Sequence, residues 1–322
     1  MRSLDLMAQR FWQVEKITRR DLRRAARKHV LTIRLRNAMN ASQFVSRFQN
    51  AFQSGKALKA GIAAPILRRK ISPAAPKALL FSPHPDDECI IGGLALRLAN
   101  EAKWNVINVA VTLGSKRSRQ AARLCELKNA CAVLGFGLLE LSPRGLENIT
   151  PETRKKDRRY WHAAVKKVAA VLHEQKPRVI FLPHADDGHP AHIGTHWLVM
   201  DALKTLPKTF RYHVVETEFW GEMAKPNLLV ESSVDDVARL VAALAQHVGE
   251  VRRNPYHARL PAWMLDNVRR GAEKVGARGG ASPNFIFGTI YKSSRWQNGK
   301  LISTAPCFLS TRQSVATLFA GK

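Results

Sequence analysis

The sequence predicts an α/β protein built on a doubly wound, mainly parallel sheet, and three features predict it. Short apolar runs alternate with longer helical stretches from residue 78 onward. The runs are apolar nearly throughout instead of alternating, as strands covered by helices on both faces are. Two of them end in near-identical polar sequences, FSPHPDDE and FLPHADDGHPAH. Sites in such sheets lie beyond the carboxyl ends of the strands.

The elements follow in order. ALLFSP (78–83) reads as a buried strand and leads into a helix over about 88–101. NVINVAVT (105–112) is a second strand, and Ala121 to Leu134 a helix ended by Gly135. LLELSP (138–143) gives a third strand, followed by a helix from about Thr153 to Glu174. RVIFLP (178–183) and HVVETEF (213–219) complete the predicted strands. GARGGASPN (276–284) reads as a lid-like loop; it lacks the spacing of a nucleotide-binding glycine loop.

Upstream, the Pro/Ala connector SPAAPK (72–77) marks a boundary, so a basic helical N-terminal extension is expected over residues 1–76 and one domain over 77–322. Phe44, Val45, Phe48 and Phe52 recur at helical spacing, and Phe11, Trp12 and Val14 to Ile17 give a similar pattern. Amphipathic helices with basic outer faces follow.

The chain has 322 residues, 45% apolar, and a formal net charge of +27. Residues 1–77 hold 18 Lys and Arg against 3 Asp and Glu, a net of +15 in the first quarter of the chain. Such an arm attracts phosphate-bearing partners: an anionic membrane surface or a phosphate-bearing glycolipid through residues 1–70, with nucleic acid ranked behind. The competing reading is a solvated basic face. No apolar run is long enough to span a bilayer, and the N-terminus lacks a secretory apolar core. The four cysteines form no CxxC pair, which fits a reducing compartment. A cytoplasmic location is expected, with peripheral placement on the inner membrane face as a variant.

The two strand-end clusters carry the chemistry. His84 and Asp87 sit three apart in a turn, so one imidazole and one carboxylate can reach a single ion. His192 from the second cluster supplies the simplest third ligand. Catalytic zinc is commonly held by three protein ligands, with a fourth position left to water. His/Asp/His sets accept Fe2+ as well as Zn2+. Asp86, next to a ligand but pointing elsewhere, is the candidate general base. His189 is the candidate to face a developing oxyanion. His184 reads as a rim residue before an extra ligand. Trp197, Trp220 and Trp263 are candidates to stack on a sugar ring, although packing is the commoner task of tryptophan.

These motifs resemble the LmbE-like, or PIG-L, family of zinc N-deacetylases over roughly residues 77–230. The family's (P/A)HPDDE motif stands as Pro83 to Glu88, followed by the small-residue start Gly92-Gly93, and its HPDH motif as His189-Pro190-Ala191-His192. VTLG (111–114) is similar to its Thr-x-Gly stretch, and Arg123, Glu126, Ala130 and Leu134-Gly135 to its helix pattern. Gln246-His247 matches its A-H-x-S-Q helix loosely.

The resemblance implies a Rossmann-like fold and removal of an N-acetyl group from an amino sugar of N-acetylglucosamine type. It carries metal ligation onto His84, Asp87 and His192, base catalysis onto Asp86, and oxyanion stabilisation onto His189. It also puts Arg123 on the substrate, though pairing with Glu126 would be a purely structural role. Ala191 departs from the family's Asp. Asp187, a candidate substrate contact, is also placed to support an imidazole in its stead. Ser115-Lys116 replaces an acidic position. The departure at Ala191 and the basic arm together motivate an alternative, a catalytically altered scaffold protein.

Overall fold

The computed structural model describes residues 39–65, 71–276 and 279–320. The predicted helix near Phe11 and two residues of the GARGGASPN loop, Ala277 and Arg278, lie outside them. The chain divides into two units, Met1–Gln53 and Ser54–Lys322.

Helix α1 (Ala41–Lys56) contains Phe44, Val45 and Phe48, all exposed. Its start is capped reciprocally: Asn40 Oδ1 accepts from Gln43 N–H, and Gln43 Oε1 accepts from Asn40 N–H.

The second unit is organised by a nine-stranded sheet. Strands β1 (Lys77–Ser82), β2 (Asn105–Ala110) and β3 (Gly137–Glu140) alternate with helices α2 (Asp87–Ile90), α3 (Gly93–Asn100) and α4 (Arg117–Leu134). Next come α5 (Pro151–Lys156), α6 (Arg158–Gln175), β4 (Val179–Pro183), α7 (Pro190–Thr205), β5 (Tyr212–Thr217) and β6 (Leu228–Ser232). Helices α8 (Val234–Leu244), α9 (Val248–Arg253) and α10 (Tyr256–Lys274) precede β7 (Phe287–Gln297), β8 (Lys300–Ser303) and β9 (Cys307–Leu309).

The strand order is β3-β2-β1-β4-β5-β7-β6-β9, with β8 paired to β7. Strands β3, β2, β1, β4 and β5 are mutually parallel, while β7 runs antiparallel between β5 and β6. The sheet is therefore mostly parallel, as the apolar runs predict. Strand β1 shows why those runs do not alternate: Ala78 and Leu80 enter one core, Leu79 and Phe81 the core on the opposite face. Each such Leu or Phe contributes roughly 2 kcal/mol by leaving water.

Two predicted helices are broken. The helix expected over 88–101 divides at Gly92, whose φ of 81° no ordinary helix accommodates. An added Cβ there would stand 2.1 Å from Thr289 Oγ1, so the break also lets α3 approach β7. The helix expected over 153–174 begins earlier, at Pro151, and divides at Asp157, whose side chain accepts from Tyr160 N–H and caps α6. Beyond β5, four further strands, three α-helices and a 3-10 helix (Val315–Phe319) complete the unit among the described residues.

Fully buried Arg97 ties α3 to the rest, pairing with Glu101 and donating to the carbonyls of Glu231, Ser310 and Gln313. The strand order turns back on itself between β1 and β4, which opens a crevice at their carboxyl ends. Both His-rich clusters leave the sheet at this crevice.

Candidate metal centre

His84 follows β1 by two residues, and its backbone N–H donates to Asp87 Oδ2 at 2.8 Å, closing the turn around the carboxylate. His192 lies in the first turn of α7 and is completely buried. His84 Nδ1 and His192 Nε2 are 3.2 Å apart. Asp87 Oδ2 is 3.6 Å from His84 Nδ1 and 3.5 Å from His192 Nε2. Tetrahedral coordination at zinc bond lengths puts neighbouring donor atoms about 3.3 Å apart. The three atoms thus match one face of a small cation's shell, and their chemistry, two imidazoles and a carboxylate, suits zinc or ferrous iron.

The support around these ligands is built from several elements. Asp187, almost fully buried, accepts from the N–H groups of His189 and Trp220 at 3.0 Å each, and its Oδ1 lies 3.6 Å from His192 Nδ1. That nitrogen has no hydrogen-bond partner among the described residues. Asp187 Oδ1 thus lies behind the His192 ring, and its side chain is enclosed. Its loop is pegged by His184, which is buried, not on the rim, with Nε2 2.8 Å from Gly221 O.

His189 stands on the other side of the cluster, its ring edge-on to His84 at 4.9 Å and its ligand atom grouped with those of His84 and His192. The Ala191 N–H donates to His189 Nδ1, so in the neutral ring the proton sits on Nε2. Burial, then the neighbouring His84, lowers its pKa and favours that neutral form.

Asp86 has φ 114° and ψ −27°, a strained conformation for a residue with a side chain. Burial and the adjacent Asp87 charge push its carboxyl well above the usual range, and Arg123 opposes them. Burial also resists ionisation of Asp87, but His192 and His84 outweigh it and hold that carboxyl below its ordinary value. Two adjacent carboxyls are thus driven in opposite directions, a pattern that separates a proton-handling group from a fixed anion. Arg123 Nη2 donates to Pro85 O at 2.9 Å and lies 3.9 Å from Asp86 Oδ1. Glu126 is occupied instead with the Gly249 N–H.

One supporting pair escapes the sequence reading. Buried Glu88 accepts the Asp86 N–H through Oε2 and contacts His247 Nε2 at 2.7 Å through Oε1. Cys89 Sγ completes the group at 3.2 Å. The loose A-H-x-S-Q match at Gln246-His247 is the one signal in the sequence that points to this contact.

The family model described as PIG-L, GlcNAc-PI de-N-acetylase, matches residues 79–203. No curated protein matches the chain. Among solved structures it is similar to the conserved protein TT1542 from Thermus thermophilus, with TM-score 0.50 and 19% identity over 71% of this chain and 95% of that one. It is also similar to GalB, the 4-carboxy-2-hydroxymuconate hydratase from Pseudomonas putida, with TM-score 0.50 and 15% identity over 68% and 95%. N,N'-diacetylchitobiose deacetylase from Pyrococcus horikoshii gives TM-score 0.49 and 17% identity over 80% and 94%. A fold that also serves a hydratase does not select the reaction by itself.

Proposed function

Residues 79–203 place this chain in the PIG-L family, and on that premise we propose that it is a metal-dependent hydrolase removing an N-acetyl group from an amino sugar of N-acetylglucosamine type. The observation that carries this reading is the convergence of His84 Nδ1, Asp87 Oδ2 and His192 Nε2 within 3.6 Å of one another.

These three residues would hold the ion, zinc or ferrous iron, which when bound supplies Lewis-acid chemistry that acidifies water and polarises a carbonyl. Asp86 accepts the proton of the attacking water and returns one to the departing amine nitrogen, so amide and water become acetate and free amine. His189 Nε2–H donates to the carbonyl oxygen as negative charge gathers there. Arg123 holds Asp86 in place and presents its remaining guanidinium edge to the substrate. Asp187 and Glu88 keep His192 and Asp86 aligned from behind.

The test is acetate release, followed by proton NMR, from an N-acetylglucosaminyl alkyl glycoside and from N-acetylglucosaminyl phosphatidylinositol, using protein loaded with one equivalent of zinc or iron. Release of acetate and free amine, abolished in His84→Ala, is expected. Loaded protein that leaves both amides intact would overturn the reading. Failure to bind a stoichiometric ion would favour the scaffold alternative.

The basic arm adds a location. Helix α1 has exposed Phe44, Val45 and Phe48 beside Arg47, carries no acidic residue, and belongs to the net +15 segment. We place this helix on an anionic membrane surface at the cytoplasmic face, where its phenylalanines enter the headgroup boundary and its cations meet lipid phosphates. No described helix is long and apolar enough to cross a membrane. Co-sedimentation with phosphatidylserine vesicles is expected for the full chain and lost in Phe44→Ser/Phe48→Ser; equal binding of both forms would refute the placement.

A further inference from the structure

One exposed aromatic side chain stands beside the proposed metal centre. Trp220, in the segment after β5, is 63% exposed, and its ring centroid is 6.2 Å from that of His189 with the planes inclined at 32°. A single exposed apolar residue is ordinary on a protein surface. The backbone that carries this one is not.

It is pinned on both sides of the tryptophan. The Trp220 N–H donates to Asp187 Oδ2 at 3.0 Å, the same carboxylate that stands behind His192. The next carbonyl, Gly221 O, is held by His184 Nε2 at 2.8 Å. Gly221 is itself required: a Cβ there would lie 2.8 Å from Asp186 O and 2.9 Å from Gly188 N. On the preceding side, Phe219 packs edge-on against the His192 ring at 4.8 Å. Glu218 is gripped by buried Arg270 through two hydrogen bonds of 2.8 and 3.0 Å. Exposure of the indole therefore does not come from slack in the chain. A segment fixed at this many points presents a large flat apolar face next to the imidazole that faces the reacting carbonyl.

The other described tryptophans are engaged elsewhere. Trp104, Trp161 and Trp296 are buried. Trp197 lies under the Arg154 guanidinium at 4.7 Å, and Trp263 packs against a core. Of the sequence candidates for stacking, Trp220 alone combines an open face with proximity to the centre.

We propose that Trp220 is the sugar platform of the site, stacking on the C–H face of a pyranose ring of the substrate so that the acyl arm reaches His189 and the ligand cluster. One face of a pyranose is a sheet of polarised C–H groups, which fits the negative face of an indole. The hydroxyls at its edge stay in water or meet the polar rim. The platform reads the ring's shape and tolerates variation in what is attached to it. This inference rests on the amino-sugar reading above.

Steady-state kinetics of Trp220→Ala, Trp220→Gln and Trp220→Phe with the N-acetylglucosaminyl alkyl glycoside test it, alongside quenching of intrinsic fluorescence by the same glycoside. Alanine and glutamine are expected to raise KM about tenfold with the loss falling on KM and not on kcat, and phenylalanine to recover most of it. The fluorescence response is expected to vanish in all three. Normal acetate release with an unchanged KM in Trp220→Ala would overturn the platform while leaving the deacetylase intact. Glycoside-dependent quenching that requires Trp220, without any acetate release, would keep the platform and overturn the deacetylase.

Discussion

Asp86 concentrates the conflict between stability and chemistry in one residue. Its φ of 114° costs on the order of 1–3 kcal/mol, and its carboxyl is buried beside a second one. Glycine adopts that conformation freely, at an entropic cost of about 0.4–1 kcal/mol in the unfolded chain. Asp86→Gly is therefore expected to stabilise the protein by roughly 1 kcal/mol. Its turnover should fall by about 100-fold or more while metal content is unchanged. Thermal melting, acetate release and elemental analysis on one preparation check all three. Unchanged turnover would remove the base assignment. The candidate centre is legible at this scale because its members lie within a few residues of two strand ends: His84, Asp86 and Asp87 at one, Asp187, His189 and His192 at the other. Spacing leaves Asp187 open between a substrate contact and support for an imidazole, because it shows neighbourhood and not direction. Only packing reveals that its oxygens point inward, to His189, His192 and Trp220.

Between elements, the decisive contact is the one from His247, just before α9, to Glu88 in α2. The pair is 159 residues apart in sequence and 2.7 Å apart in space, fully enclosed. Beyond the loose match at Gln246-His247, no local pattern foretells a meeting at that separation. Removing one partner leaves a buried polar group without compensation, which costs about 3 kcal/mol or more. His247→Ala is thus expected to lower the urea midpoint and also to reduce turnover, because the Asp86 N–H hangs on Glu88. His247→Gln, which can still donate, is expected to recover part of both. Equal stability of wild type and His247→Ala would show the pair to be incidental. The limits of sequence reading have the same origin across the sheet. Strands β1, β2, β4 and β5 announce themselves as buried apolar runs. Antiparallel β7 does not: it inserts between β5 and β6 and is specified by pairing with strands that begin 75 and 59 residues before it. Helix breaks at Gly92 and Asp157 stay hidden because apolar periodicity continues across a single unusual residue.

Two responses of the whole molecule follow from charge. His213, on β5, has its pKa lowered to about 4 by burial and by Arg178 and Arg295, and its ring packs edge-on against Phe319. The unfolded chain takes up this proton near the ordinary value of about 6.5. Between those values the unfolded state binds more protons, so stability falls as pH drops from about 6.5 to 4, by roughly 2 kcal/mol after allowance for solvent screening. His196 and His257 are shifted in the same direction. Urea midpoints at pH 7 and about 4.5 are expected to differ less in His213→Phe than in wild type; identical differences would assign the acid sensitivity elsewhere.

The proposed metal would give the opposite lever. Its three proposed ligands come from the two segments that leave β1 and β4 at the sheet's turning point, and in the unfolded chain 108 residues separate His84 from His192. An ion that binds only the folded arrangement stabilises it by RT ln(1 + [L]/Kd), about 4 kcal/mol at a thousandfold excess over Kd. For a protein of this size that is a rise in melting temperature on the order of 10 °C. Chelation should reverse it. Asp86→Asn, which leaves all three ligands in place, should keep the full rise despite losing turnover. His192→Ala should lose the rise and the turnover together. A melting temperature that responds to zinc equally in wild type and His192→Ala would mean that the ion binds somewhere other than the crevice, and the acid–base roles assigned around it would lose their anchor.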